Sequence, residues 1–140
     1  MDYQSLAGEL LRTREELLQV PAQQKLSRMM RGELFVLNYL YSHDTEVHPT
    51  ELSRKLSVST ARIANLLNHM EEKQLITRAP DSRDSRQIIV ALTETGAQAI
   101  RQRRGDVLTY LARMLEALGP EDAREYIRIQ KKILSGITVP

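Results

Sequence analysis

Apolar residues recur along this chain at a helical spacing, with one interruption where the spacing becomes that of strands. Leu6, Leu10, Leu11, Leu17 and Leu18 predict an amphipathic helix over residues 2–19, punctuated by Pro21. A short helical piece follows up to Met30. Gly32 precedes Leu34, Val36, Leu37 and Leu40, an apolar helix ending near His43, and residues 44–47 read as a loop. Pro49 suits a first helical position, where its missing N–H has no partner to lose. Leu52 and Leu56 then mark a short helix from Thr50 to Leu56. Ser57, Val58 and Ser59 make a tight connector, and Ser59 is a good N-cap for the next helix. That helix carries Ile63, Leu66, Leu67 and Met70 on one face and Thr60, Arg62, Asn65, Asn68 and His69 on the other.

The period changes at Leu75 to Arg78 and at Gln87 to Leu92, two β-branched runs flanking the polar stretch Ala79–Arg86. They predict a hairpin with a charged loop that includes Pro80. Helical spacing returns from Thr95, where Thr95 and Gln98 have capping-box spacing, and runs through Ile100, Val107, Leu108, Leu111, Leu115 and Leu118. Gly119-Pro120 divides it from a last helix that fades at Gly136. The fold class is therefore mostly α with a small β-hairpin. Two short helices, a three-residue turn and a hairpin are the parts of a winged helix-turn-helix, with Leu52, Leu56, Val58, Ile63, Leu66 and Met70 as its hidden side.

Composition narrows the classes of function. The 140 residues suit one domain, and 41% hydrophobic with 27% charged is an ordinary globular balance. With no cysteine, disulfides, thiolate metal sites and thiol redox sensing are excluded. No run approaches the roughly 18 apolar residues of a membrane helix, and the N-terminal residues lack the apolar core of a signal peptide. A cytoplasmic protein without a membrane partner is expected. The net charge is only +2, but it is uneven. Residues 1–49 hold five basic and seven acidic residues, whereas residues 50–90 hold seven basic (Arg54, Lys55, Arg62, Lys73, Arg78, Arg83, Arg86) and five acidic. A local basic surplus beside a helix-turn-helix is what a phosphate-binding face looks like.

The polar face of the second helix carries the chemistry that duplex DNA requires. Arg62 and Asn65 are residue types that pair bidentately with guanine and adenine edges. Ser59, Thr60 and the helix-start N–H groups suit phosphate oxygens. In the hairpin loop Arg83 and Arg86 each follow an acidic residue by two positions. A carboxylate can fix a guanidinium in one rotamer, and an arginine so held at a hairpin tip can enter a narrow minor groove. The alternative for these positions is an ordinary solvated helix face and turn.

At these residues the sequence resembles the DNA-binding half of MarR-type regulators. The matching stretches are Pro49–Leu56, Val58–Asn65, Glu71–Arg78, and the wing Asp84-Ser85-Arg86 leading to Val90–Gly96. The resemblance implies that Arg86 is the minor-groove wing arginine, Asp84 its orienting partner, and the helix from Ser59 to about Lys73 the recognition helix. The sequence departs from the family at Gln74, where a glycine is common, and at Ser85, where a basic residue is common; Arg83 is the available replacement for the latter. The resemblance also implies a small-molecule effector, whose identity and pocket no motif reveals.

The terminal helices carry longer Leu and Ile stripes than a winged core of about fifty residues can cover. The expected organisation is one domain over 1–140, with a DNA-binding lobe at 32–96 and helical dimerisation regions at 1–31 and 97–140. A homodimer would place two recognition helices about 34–36 Å apart on a palindrome in double-stranded DNA. The reading is a ligand-responsive repressor, neither an enzyme nor a cofactor protein; the alternative is a winged helix that binds another protein. His43, Asp44, Glu46 and His48 fit no metal-ligand spacing, and no triad or carboxylate pair assembles.

Overall fold

The computed structural model describes residues 1–43 and 45–136. Asp44, one of the four residues weighed as metal ligands, and residues 137–140 lie outside the described residues. Among the described residues the element order is α1 (Tyr3–Leu17), α2 (Pro21–Met29), α3 (Gly32–Ser42), α4 (Pro49–Leu56), α5 (Thr60–Glu72), β1 (Ile76–Pro80), β2 (Ile88–Leu92), α6 (Glu94–Leu118) and α7 (Pro120–Gly136). Several helices begin for a local reason. The Asp2 carboxylate accepts from the N–H groups of Gln4 and Ser5 and caps α1. Proline opens α2, α4 and α7, where its fixed φ fits the first turn.

Residues 1–104 form one compact unit, and a second begins at Gly105, inside α6. The core of the first unit is built by Val36, Leu37 and Leu40 of α3, Leu52 of α4, Ile63, Leu67 and Met70 of α5, Ile76 and Val90 of the hairpin, and Ile100 of α6. Burying each such side chain is worth about 1.5–3 kcal/mol. Of the predicted hidden side, Leu52, Ile63 and Met70 are buried, Leu56, Val58 and Leu66 are half-buried, and Leu67 takes a deeper place than Leu66. In the same unit α1 buries none of its residues. In the second unit α7 likewise buries none. Tyr126, Ile127, Ile129, Ile133 and Leu134 stay exposed on it. Among the described residues no helix is long and apolar enough to cross a membrane.

The turn between α4 and α5 depends on Ser57, which adopts a left-handed backbone with φ 56°. This lets the Val58 N–H reach the Ser53 carbonyl at 3.1 Å. The Ser53 hydroxyl donates to the Val58 carbonyl at 2.6 Å and closes the same turn. The end of α5 repeats the device. Gln74 has φ 63°, its N–H reaches the Glu71 carbonyl at 2.9 Å, and the Leu75 N–H reaches Met70 at 3.0 Å. These two bonds define a Schellman motif. Glycine is the usual residue there, so the departure at Gln74 leaves the geometry intact and strains one residue.

Two expectations change at the hairpin. The antiparallel ladder runs from Ile76↔Leu92 to Pro80↔Ile88, so Ala79 and Pro80 belong to β1 rather than to the loop. Proline is tolerated because it stands at the last pair of the ladder. The cap of α6 is Thr93, not Thr95. Its hydroxyl accepts from the Gly96 N–H at 3.0 Å and donates to the Gln74 carbonyl at 2.6 Å. A Cβ on Gly96 would lie 2.1 Å from the Leu75 carbonyl oxygen, so the start of α6 approaches the end of α5 as only glycine permits.

Candidate nucleic-acid interface

The α4–turn–α5 unit followed by the β1–β2 hairpin is a winged helix-turn-helix, with α5 in the recognition position. Ser59 precedes α5, and its Oγ accepts from the Arg62 N–H at 3.1 Å. That hydroxyl is therefore engaged as an acceptor and retains its proton for a donor role. Thr60 is the first residue of α5 and is exposed. Arg62 and Asn65 lie three apart, hence on one face. Both are exposed. Among the described residues neither side chain is hydrogen-bonded or ion-paired.

The next turn of that face is already occupied. Arg78 of β1 donates from Nη2 to Asn68 Oδ1 at 2.7 Å and to Glu71 Oε1 at 3.0 Å, and its backbone N–H reaches Glu71 Oε2 at 3.2 Å. Arg78 holds the Glu71 carboxyl below the usual glutamate range, chiefly by the side-chain hydrogen bond. Asn68, expected on the groove-facing side, thus ties the recognition helix to the wing. Sequence reasoning missed this brace because nothing in the spacing of Asn68, Glu71 and Arg78 distinguishes a brace from three solvated polar residues.

In the wing the two arginines behave differently. Arg86 is 90% exposed, with Nε 3.2 Å from Asp84 Oδ1. Arg83 is drawn back to the connector before α4, where its Nη2 donates to Glu46 Oε2 at 2.5 Å and its Nε stands 3.7 Å from Asp81 Oδ1. The guanidinium expected to replace a basic residue at Ser85 has internal partners. Of the seven basic residues between 50 and 90, Lys73, Arg78, Arg83 and Arg86 are ion-paired. Arg54, Lys55 and Arg62 have no ion pair among the described residues, so part of the local surplus sits on α4 and α5.

The loop residues weighed as metal ligands face separate partners. The His43 ring stacks on Tyr39, 3.9 Å between centroids, and its Nδ1–H donates to the Tyr39 carbonyl. Glu46 holds Arg83, and His48 holds Asp81 at 2.9 Å. Among the described residues no three His, Asp or Glu side chains converge on one point. The Tyr39 hydroxyl donates to Glu51 of α4, which keeps the phenol protonated beyond its usual range.

A cavity of about 330 Å³ opens beside the recognition helix, lined by Arg31, Gly32, Leu56, Val58, Arg62, Asn65, Leu66 and His69. Its walls are largely the half-buried aliphatic residues that the core leaves uncovered, with two guanidinium-bearing residues among them.

Known proteins resemble the chain in the same terms. The MarR family's sequence profile matches residues 25–87. The regulator YdgJ of Bacillus subtilis is 24% identical over 76% of this chain, and the match spans 65% of that relative, under two thirds of its length. The transcriptional repressor MdtR of the same organism is 25% identical over 94% of this chain and 77% of its own. Among solved structures, MepR of Staphylococcus aureus, a transcription regulator of the multidrug efflux pump MepA, has a TM-score of 0.68. It is 23% identical, covering 99% of this chain and 100% of MepR. At that identity the likeness is one of fold.

Proposed function

We propose that the chain is a winged helix-turn-helix regulator of the MarR family, whose sequence profile matches residues 25–87, and that it is a non-enzymatic repressor that binds a palindromic operator as a homodimer. The observation that carries this reading is the pairing of two presentations. Arg62 and Asn65 stand exposed and without partners on α5, and Arg86 stands exposed at the wing with Asp84 beside it. One set suits base edges in a major groove, the other the negative potential of a minor groove. Ser59, Thr60 and the start of α5 contribute phosphate contacts. Arg83 serves the wing's internal structure first.

Two further parts of the reading have physical support. Leu6, Leu10, Leu11 and Leu17 are exposed on α1, and Ile127, Ile129, Ile133 and Leu134 on α7. Apolar stripes of this length are costly in water, and a second copy that buried them would gain about 25 cal/mol per Å². The region from residue 32 to 96 then acts as the DNA lobe and the terminal helices as the dimer lobe, in a cytoplasmic protein. The cavity beside α5 supports effector control. A small apolar molecule with an anionic or acceptor group would satisfy both its aliphatic walls and Arg31 or Arg62, and would occupy residues that otherwise face DNA.

The test is a gel-shift titration of the full chain on the duplex flanking its own gene, with random duplex as competitor and light scattering at the same concentration. Retention of the flanking duplex by a species of twice the chain mass is expected. A monomer, or equal affinity for both duplexes, would refute the proposal.

A further inference from the structure

The connector between α3 and α4 is tied to the wing at three successive residues. Glu46 accepts from Arg83 Nη2 at 2.5 Å. The Val47 carbonyl accepts from the Val90 N–H at 2.9 Å. The His48 Nε2–H donates to Asp81 Oδ2 at 2.9 Å. His48 stands at the N-cap of α4, yet its side chain does not cap that helix; the ring is given to the wing instead.

Asp81 is the centre of this arrangement. It follows β1 directly and is only 6% exposed. Its Oδ1 accepts from the Arg83 backbone N–H at 2.8 Å, and its own N–H donates to the Gln87 carbonyl at 2.9 Å, closing the hairpin. A carboxylate so covered costs stability unless its oxygens are paired, and here both are. An apolar pair would join the two segments at less cost. The directed bonds of a carboxylate add a fixed angle, which the Val47–Val90 bridge alone does not define. The angle matters because Arg86 borders the same cleft as His48, Pro49 and Thr50.

We propose that Asp81 is a positioning residue for duplex binding: with His48 it sets the tilt of the wing against the start of α4, and so the separation of Arg86 from the recognition helix. The proposal rests on the DNA-binding reading above.

The test uses the full chain with Asp81→Ala, His48→Ala, the double variant and His48→Gln, whose side-chain amide can still donate to Asp81. Affinity for operator and random duplex is measured beside thermal unfolding. Each alanine variant should lose about tenfold in operator affinity, the double variant no more than the worse single, and His48→Gln should recover most of the loss. Two losses that multiply to about a hundredfold, a His48→Gln no better than His48→Ala, or wild-type affinity throughout would overturn it. If Asp81→Ala fails to fold, the comparison of His48→Ala with His48→Gln decides alone. A wild-type chain without operator preference removes the duplex reading and the positioning role together. Amide exchange at Arg83 then reports separately on the clamp, which should speed in His48→Ala and recover in His48→Gln.

Discussion

The Asp84 carboxylate binds Arg86 twice through one oxygen, Oδ1 accepting from the Arg86 backbone N–H at 3.1 Å and from its Nε at 3.2 Å. The contact fixes the backbone of the turn and the root of the side chain together. It leaves the terminal guanidinium nitrogens without partners among the described residues. At 90% exposure such a pair adds little to stability; on the DNA-binding proposal, its value would lie in pre-organising the arginine for its contact.

Arg86→Ala should therefore weaken binding to most duplexes and make the salt dependence shallower by roughly one phosphate equivalent per subunit. Asp84→Ala should reproduce part of that loss although it removes a negative charge. Salt titrations on operator and random duplex measure both effects. Tighter binding by Asp84→Ala would mean that the carboxylate only repels phosphate.

Arg62→Ala and Asn65→Ala should act on discrimination instead. Each should relax preference at particular operator positions by about 1–3 kcal/mol and leave random-duplex affinity nearly unchanged. Competition against single-position operator variants reads this directly. A uniform loss across all sequences would reassign the two side chains to backbone contacts.

Gln74→Gly should raise stability by about 0.5–1 kcal/mol, because it relieves the left-handed strain at the end of α5. Gly96→Ala should cost roughly 1–3 kcal/mol, since the new methyl meets the Leu75 carbonyl rather than a flexible side chain. Urea midpoints at constant m-value measure both. A neutral Gly96→Ala would show that the α5–α6 approach yields easily.

Acid should release the wing later than an ordinary carboxylate would allow. The Arg83 backbone N–H, and then His48, hold the Asp81 carboxyl below its usual value. A depressed folded value means that its stabilisation is complete above the unfolded value, near 3.9 for aspartate, and is lost as pH falls through the lower folded value. Amide exchange at Arg83, followed downward from pH 5, should stay protected past pH 4 and then fail. Asp81→Asn should remove that step. Loss of protection already above pH 4 in the wild type would contradict the assignment.

The elements were legible in the sequence because each depends on local chemistry. Pro49 and Ser59 mark the starts of α4 and α5, and the change of period at Leu75 marks the hairpin. The exposed face at Arg62 and Asn65 follows from the same periodicity that buries Ile63 and Met70. Less legible were contacts between residues far apart in the chain. His48 and Asp81 are 33 residues apart, Glu46 and Arg83 are 37 apart, and no spacing rule brings such pairs together. Thr95 has capping-box spacing with Gln98, a purely local pattern. Thr93 wins because its hydroxyl also finds the Gln74 carbonyl, a partner supplied by the tertiary fold. The local pattern pairs Arg83 with Asp81, two positions before it, whereas its shorter contact is to Glu46, supplied by another loop.

The brace from Arg78 to Asn68 and Glu71 makes the recognition helix and the hairpin the two jaws of one caliper. A caliper measures a length as well as the objects at its ends. For the duplex partner proposed above, that length would be the offset along the helix between the bases that α5 would meet and the narrow groove that Arg86 would enter. Inserting one base pair between those features turns one relative to the other by about a tenth of a turn, which a stiff instrument cannot follow. A site with every correct letter but the wrong phase would then be refused as firmly as one that is misspelled.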